Sequence, residues 1–289
     1  MSSYNLGGHS GCSIYLIEDG DGRVYVRKTS KDASYNERLI LQCSKQSKFT
    51  GGIVRTPAVY GSGYTSSGLF YFDMEYIQGI TLSEYIRSME IGKISALVNS
   101  IVESIVPIHF ESITSEQKCE TNEIFNNKIS DLKSQLSGSN STVSAAITLL
   151  EQHDWGYFIP SDCHGDMTLE NIIVKDDKLY FIDFLDSFYD SWFMDIGTLL
   201  QDVQVMWSYR FEQRIDMNTV LRLIVFKDLL IDKIKSINPV YVIEIYYSLL
   251  QKLIRILPYT EDEYTNSFLI KKIQLVLDCI NDLETNGGA

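Results

Sequence analysis

The sequence predicts an α+β fold in two lobes, a small β-rich N-terminal lobe followed by a large helical C-terminal lobe. Three observations carry this. Short β-rich runs crowd into the first 78 residues. Helical patterns dominate from Gly79 onward. One strand pair, 172–174 with 179–182, interrupts the helical part. The expected division puts residues 1–78 in the N-terminal lobe, a hinge near 75–79, and residues 79–289 in the C-terminal lobe.

Residues 14–18 (IYLIE) and 24–28 (VYVRK) are rich in β-branched and aromatic side chains, and GDG at 20–22 joins them as a hairpin. Leu39, Ile40 and Cys43 recur at helical spacing and predict a helix over 33–44. Residues 54–60 contain Pro57, which lacks a backbone donor and predicts an edge segment. LFYFDM at 69–74 reads as a buried strand. Beyond Gly79, Thr81 and Glu84 (TLSE) form a capping box that opens a helix to about Ser88. Helices follow over 94–109 and, in more polar form, over 115–150 with a break at SGSNS, 137–141. KDDK at 175–178 turns one short strand into the next. From Ser191 the pattern is nearly all helical, with Pro239 at a helix start and a second capping box, TEDE, at 260–263.

Composition narrows the function. With 45% apolar and 22% charged residues the chain can bury an ordinary core. Its net charge of −13 argues against a nucleic-acid partner. Eight basic and seven acidic side chains lie up to Gln78, so the part from Gly79 carries a formal −14. Such an acidic part disfavours a polyanionic ligand and suits a neutral or cationic small molecule. The five cysteines include no CxxC pair, which points to reduced thiols and a cytoplasmic location rather than a zinc site or disulfide framework. The N-terminus has no signal-peptide pattern, and the densest apolar run, 221–231, is broken by Lys227 and Asp228, so no membrane span is expected.

The strongest chemical signal is HGDMTLEN at 164–171, followed by an apolar strand holding Asp183 in YFIDF. Phosphoryl transfer asks little of a protein: a carboxylate near the attacking hydroxyl and oxygen ligands for Mg²⁺ around the phosphates. Asp166 fits the first role. Asn171, five residues later, offers a neutral carbonyl oxygen, and Asp183 a charged one.

HGDMTLEN resembles the catalytic loop of the aminoglycoside phosphotransferase and choline kinase family, relatives of the protein kinases. The resemblance implies a bilobal protein-kinase-like fold, ATP and Mg²⁺ as cofactors, and transfer of the γ-phosphate to an alcohol. Protein kinases carry an Arg where this chain has Gly165 and a Lys where it has Thr168, and their D-F-G and A-P-E signatures are missing here. These departures favour the small-molecule branch. The same resemblance makes Asp166 the base, Asn171 and Asp183 the metal ligands, His164 the residue that orients the loop, and Asp195, leading MDIGTLL, a brace for the loop backbone.

Other landmarks then fall into register. GGHSGCS at 7–13 resembles a phosphate-covering loop, which would place Gly8, Ser10 and Gly11 at the phosphates. Lys28 matches the strand lysine that holds the α- and β-phosphates, and Arg27 is its rival, on the opposite face by strand alternation. Glu37, on the next helix, is the expected partner of Lys28. MEYIQG at 74–79 resembles the hinge, where the Glu75 carbonyl and the Ile77 N–H would meet the adenine edge with Met74 behind the base. Asp186 suits a second Mg²⁺, the acceptor or a helix cap, and Asp190 is likewise left open. Residues 180–207 are similar to phosphotransferases of bacterial capsule and envelope polysaccharide loci, which favours a sugar or amino alcohol as acceptor. An aminoglycoside antibiotic phosphotransferase and a nucleotide-binding pseudokinase are the alternatives. The intact set Lys28, Asp166, Asn171 and Asp183 speaks against the second.

Overall fold

The β-rich N-terminal runs pair into one antiparallel sheet of five strands in the computed structural model, which describes residues 2–6, 11–107, 113–138 and 140–287. The strands are β1 (Ser2–Asn5), β2 (Cys12–Glu18), β3 (Val24–Ser30), β4 (Val59–Tyr64) and β5 (Phe70–Glu75), in the order β1-β2-β3-β5-β4. Strand β1 was not expected, because SSYN is short and polar and its Tyr4 is exposed. Of the edge segment expected over 54–60 only Val59 and Tyr60 enter an edge strand, β4, and Pro57 precedes it. Helix α1 (Asn36–Lys48) covers the sheet and buries Leu39 against Val26, Phe70, Phe72 and Met74.

A second, three-stranded sheet follows. It joins β6 (Ile80–Thr81), β7 (Ile172–Lys175) and β8 (Lys178–Phe181) in the order β6-β7-β8. Between β6 and β7 in sequence lies the short α2 (Leu82–Tyr85). Its expected capping box forms, with the Glu84 N–H 3.3 Å from Thr81 Oγ1 and the Thr81 N–H 3.2 Å from Glu84 Oε2. The helix stops at Tyr85, short of Ser88, and the chain continues as turns. Asp176 and Asp177 close the β7–β8 hairpin with φ of 50° and 57°, the left-handed pair that a two-residue type I′ turn requires.

Contacts divide the chain into two units: Met1–Tyr85 with His164–Phe188, and Ile86–Cys163 with Tyr189–Ala289. This grouping differs from the division expected at Gly79. Segment 164–188 belongs to the first unit because β7 pairs with β6, and because the Arg55 N–H and C=O bond Leu179 O and Phe181 N at 3.0 and 2.8 Å. Gly79 permits this approach, since a Cβ there would lie 2.4 Å from the Val174 carbonyl oxygen.

The second unit contains α3 (Ile94–Ile105), α4 (Ser115–Gln135), α5 (Ser141–Gln152), α6 (Trp192–Val203), α7 (Met217–Ile237), α8 (Val240–Ile256) and α9 (Glu263–Gly287). Every residue of α6 is buried, as a helix surrounded by others requires. The cap of α9 is Asp262, whose Oδ1 takes the Thr265 N–H at 2.7 Å. The expected Thr260 instead donates its hydroxyl to Leu257 O, since a carboxylate is the stronger cap. No described helix is long and apolar enough to cross a membrane. The aromatic centre of this unit stacks Phe125 on Trp155 with centroids 4.2 Å apart, and Phe158 and Tyr189 close around Phe125. Trp155→Ala should cost about 3–5 kcal/mol in urea denaturation. Tyr157→Ala, at an exposed neighbouring position, should stay within about 0.5 kcal/mol.

Candidate active site

Strand alternation decides between Arg27 and Lys28. On β3 the buried face carries Val26, Lys28 and Ser30. Arg27 takes the other face, where it forms a two-pronged ion pair with Asp73, directly opposite on β5, at 2.6 and 2.7 Å. Lys28 is 2% exposed, and its ammonium is bonded to Asp183 Oδ1. Burial alone would push that ammonium's pKa down; the Asp183 carboxylate outweighs it, and the group sits above the ordinary lysine value.

The pair lies at one end of a cavity of about 320 Å³. The cavity is lined by Ile14 and Val26 of the sheet, by Ile173 of β7 and Ile182 just after β8, and by Met74, Glu75, Tyr76 and Ile77. Ile77 packs on Ile173 and Tyr180, which holds the segment after β5 against the hairpin. Met74 is buried, and Gln46 holds its sulfur at 3.4 Å and the Pro57 carbonyl at 2.9 Å.

The loop before β7 is organised by its own side chains. Asn171 Nδ2 donates to the Asp166 carbonyl at 2.8 Å and to Asp166 Oδ2 at 3.1 Å. This leaves the Asn171 carbonyl oxygen as the acceptor end of its side chain. His164 is fully buried. Its Nε2 meets Ile182 O at 2.7 Å, and its Nδ1 accepts the Asp166 N–H at 3.2 Å. Those partners assign a neutral ring with the proton on Nε2, holding loop to strand end. Gly165 has φ +92°, and a Cβ there would lie 2.5 Å from Leu185 O and 2.8 Å from Ser187 Oγ. A larger residue at this point would displace the segment that follows Asp183.

Asp183 itself has φ +61° and a side chain one-third exposed. Left-handed backbone at a non-glycine residue is uncommon and collects at functional sites. It aims this carboxylate toward Lys28 and the cavity.

Several expected residues lie elsewhere. Glu37 is exposed and does not serve Lys28; Asp183 does. The reason is helical phase. Glu37 is two residues from the buried Leu39, about 200° around the axis, which turns it away from the sheet. Asp186 caps no helix; Arg38 and Gln42 of α1 bond it. Asp190 takes the Cys163 thiol at 3.3 Å, and Cys163 is buried. Asp195 is fully buried in the first turn of α6, in the second unit. Gly8 and Ser10 fall outside the described residues; Gly11 precedes β2, and its carbonyl takes the Lys31 N–H at 3.0 Å. Arg38, Gln42 and Lys45 were missed because the helix was read through its apolar residues alone. Their own spacing of four and three residues was the available signal.

No protein-family model and no curated protein matches the sequence. Solved structures do match over nearly the whole chain. An aminoglycoside phosphotransferase, APH(4)-Ia, shares 13% identity at a TM-score of 0.60, covering 96% of this chain and 93% of its own. A choline kinase from Cryptosporidium parvum Iowa II shares 9% at a TM-score of 0.58, covering 99% and 90%. A protein assigned as a fructosamine-3-kinase from Thermobifida fusca YX-ER1 shares 13% at 0.59, covering 96% and 94%. Other structures of the APH(4)-Ia enzyme hold AMP-PNP or ADP together with hygromycin B. At these identities the likeness establishes the fold, the protein-kinase-like fold of small-molecule kinases.

Gly165→Ala should lower stability by about 1–2 kcal/mol from its backbone conformation alone. Gly20→Ala, where a Cβ meets nothing within 4 Å, should leave the urea midpoint nearly unchanged.

Proposed function

We propose that this chain is an ATP-dependent phosphotransferase that moves the γ-phosphate onto a hydroxyl of a small acceptor, a sugar or an amino alcohol. One observation carries the reading. A buried Lys28 paired with Asp183 lines an apolar cavity, and Ile182 of that cavity is bonded to the loop in which Asn171 fastens Asp166.

The roles follow from the geometry. The cavity between Val26 and Ile173 suits a flat base, with the Glu75 carbonyl and Ile77 N–H as its polar edge. Lys28 would exchange part of its bond to Asp183 for phosphate oxygens. Asp166 would accept the proton of the attacking hydroxyl, its carboxylate steadied by the Asn171 amide. Gly8, Ser10 and Gly11 would cover the phosphates with backbone N–H groups.

The donor set suits Mg²⁺. No cluster of three or more His, Cys, Asp or Glu side chains that would cage a metal occurs among the described residues. One carboxylate, Asp183, and one amide oxygen, Asn171, match an ion that takes its remaining ligands from phosphates and water. When bound, Mg²⁺ would supply positive charge to the phosphate oxygens. The five free cysteines accord with a reducing, cytoplasmic site of action. The formal −14 beyond Gly79 supports a neutral or cationic acceptor, and an aminoglycoside is the second reading on the same ground. The resemblance of residues 180–207 to capsule-locus phosphotransferases, read from the sequence alone, would make that acceptor a sugar used in surface polysaccharide.

Asp166→Asn should lower phosphate transfer by about 10² to 10⁴ while leaving nucleotide affinity near wild type, since the amide keeps the shape without the base. Wild-type turnover in this variant would remove the base assignment. Lys28→Met should impair ATP use far more than Arg27→Met, measured as kcat/KM for ATP; the reverse order would give the role to Arg27. Acceptors matched in size should be used in the order cationic or neutral above anionic. Best activity on a sugar phosphate would defeat the charge argument alone.

A further inference from the structure

Helix α1 grips the chain on the C-terminal side of Asp183. Arg38, Gln42 and Lys45 follow at spacings of four and three residues and so share one helix face. Arg38 Nε lies 2.8 Å from Asp186 Oδ2 and Nη2 lies 3.3 Å from Oδ1. Gln42 Nε2 adds a bond to Oδ1 at 3.1 Å, and Lys45 Nζ donates to Leu185 O at 3.0 Å. The Leu185 N–H is tied to His164 O at 3.0 Å. On the N-terminal side of Asp183, Ile182 is bonded through both backbone groups, its N–H to Asn171 O at 3.0 Å and its carbonyl to His164 Nε2 at 2.7 Å. Asp183 is therefore the one residue of this stretch whose left-handed backbone is held from both sides. Such a conformation persists only where the surroundings over-determine it.

We infer that Arg38 and Gln42 are positioning residues that, through Asp186, hold the Asp183 carboxylate in the direction a divalent cation needs, an inference that rests on the phosphotransferase reading above. Both Asp186 oxygens accept bonds from α1, which occupies them with this task. Burial raises the Asp186 pKa, but the bonds from Arg38 and Gln42 outweigh it and hold the group below the usual carboxylate value, so it is charged at neutral pH. The Arg38 side chain is 55% exposed, and an ion pair of that kind adds little to global stability. Its effect is on direction, and direction is what a metal ligand is sensitive to. In this chain α1 thus acts on Asp183 from its C-terminal flank, where a helix carboxylate paired with Lys28 was expected.

The test is Mg²⁺-dependent binding of the non-hydrolysable ATP analogue AMP-PNP to the full chain, followed by calorimetry, with ligand-free thermal unfolding alongside. Arg38→Ala and Asp186→Asn should each raise the Mg²⁺ concentration for half-maximal binding by about tenfold. Affinity for AMP-PNP without Mg²⁺ should change little, and so should the Tm. The reversed pair Arg38→Asp with Asp186→Arg should return the Mg²⁺ midpoint to within about threefold of wild type. Arg87→Ala, which breaks the Arg87–Glu212 ion pair of the second unit, should leave it unchanged. Single variants with a wild-type Mg²⁺ midpoint, or an equal loss with and without Mg²⁺, would overturn the inference and leave the phosphotransferase reading standing. A wild-type protein that does not bind AMP-PNP at all would remove both.

Discussion

A lysine ammonium 2% exposed to solvent needs a counter-charge, because an isolated buried charge costs several kcal/mol. At Lys28 that counter-charge is Asp183, from a segment 155 positions further along the chain. The N-terminal sheet therefore depends on a part of the chain remote from it in sequence. The pairing of β6 with β7 and the two backbone bonds of Arg55 bring that segment in, and the hairpin's Ile173 and Ile182 then complete the cavity whose polar end the ion pair forms. Sheet, hairpin and cavity thus meet at one ion pair.

The same economy governs the loop at 164–171. His164 commits its Nε2 proton to the Ile182 carbonyl and its Nδ1 lone pair to the Asp166 N–H. Asn171 spends its amide hydrogens on Asp166 and keeps its oxygen. Gly165 accepts a backbone conformation that residues with a Cβ rarely adopt, and its missing Cβ lets Leu185 and Ser187 lie against it. His164, Gly165 and Asn171 are thus each explained by a bond they make or a volume they leave empty.

Elements with a strong period were legible in the sequence, and so was the loop. Strand alternation put Lys28 and Arg27 on opposite faces, and the structure has them so. What escaped were features whose cause lies in tertiary contact. SSYN becomes β1 only because β2 offers it an edge, and TLSE opens a helix of four residues although its cap is complete. Glu37 was chosen by type without its helical phase, and Leu39 decides that phase. Arg38, Gln42 and Lys45 look like an ordinary solvated face until the position of Asp186 is known.

The discontinuity of the first unit bears on how the chain is made. Ribosomes add roughly 5–20 residues per second, so the 155 positions from Lys28 to Asp183 take roughly 8–30 s to appear. Throughout that interval β3 carries a lysine on its inward face with no carboxylate to meet it. A nascent sheet that closed over that face would strand the charge, and the 78 residues Ile86–Cys163, which belong to the other unit, are made before Asp183 is. Vectorial synthesis thus exposes the N-terminal strands of this chain for longer than their short contact distances would suggest, and places the arrival of residues 164–188 as the event that commits them.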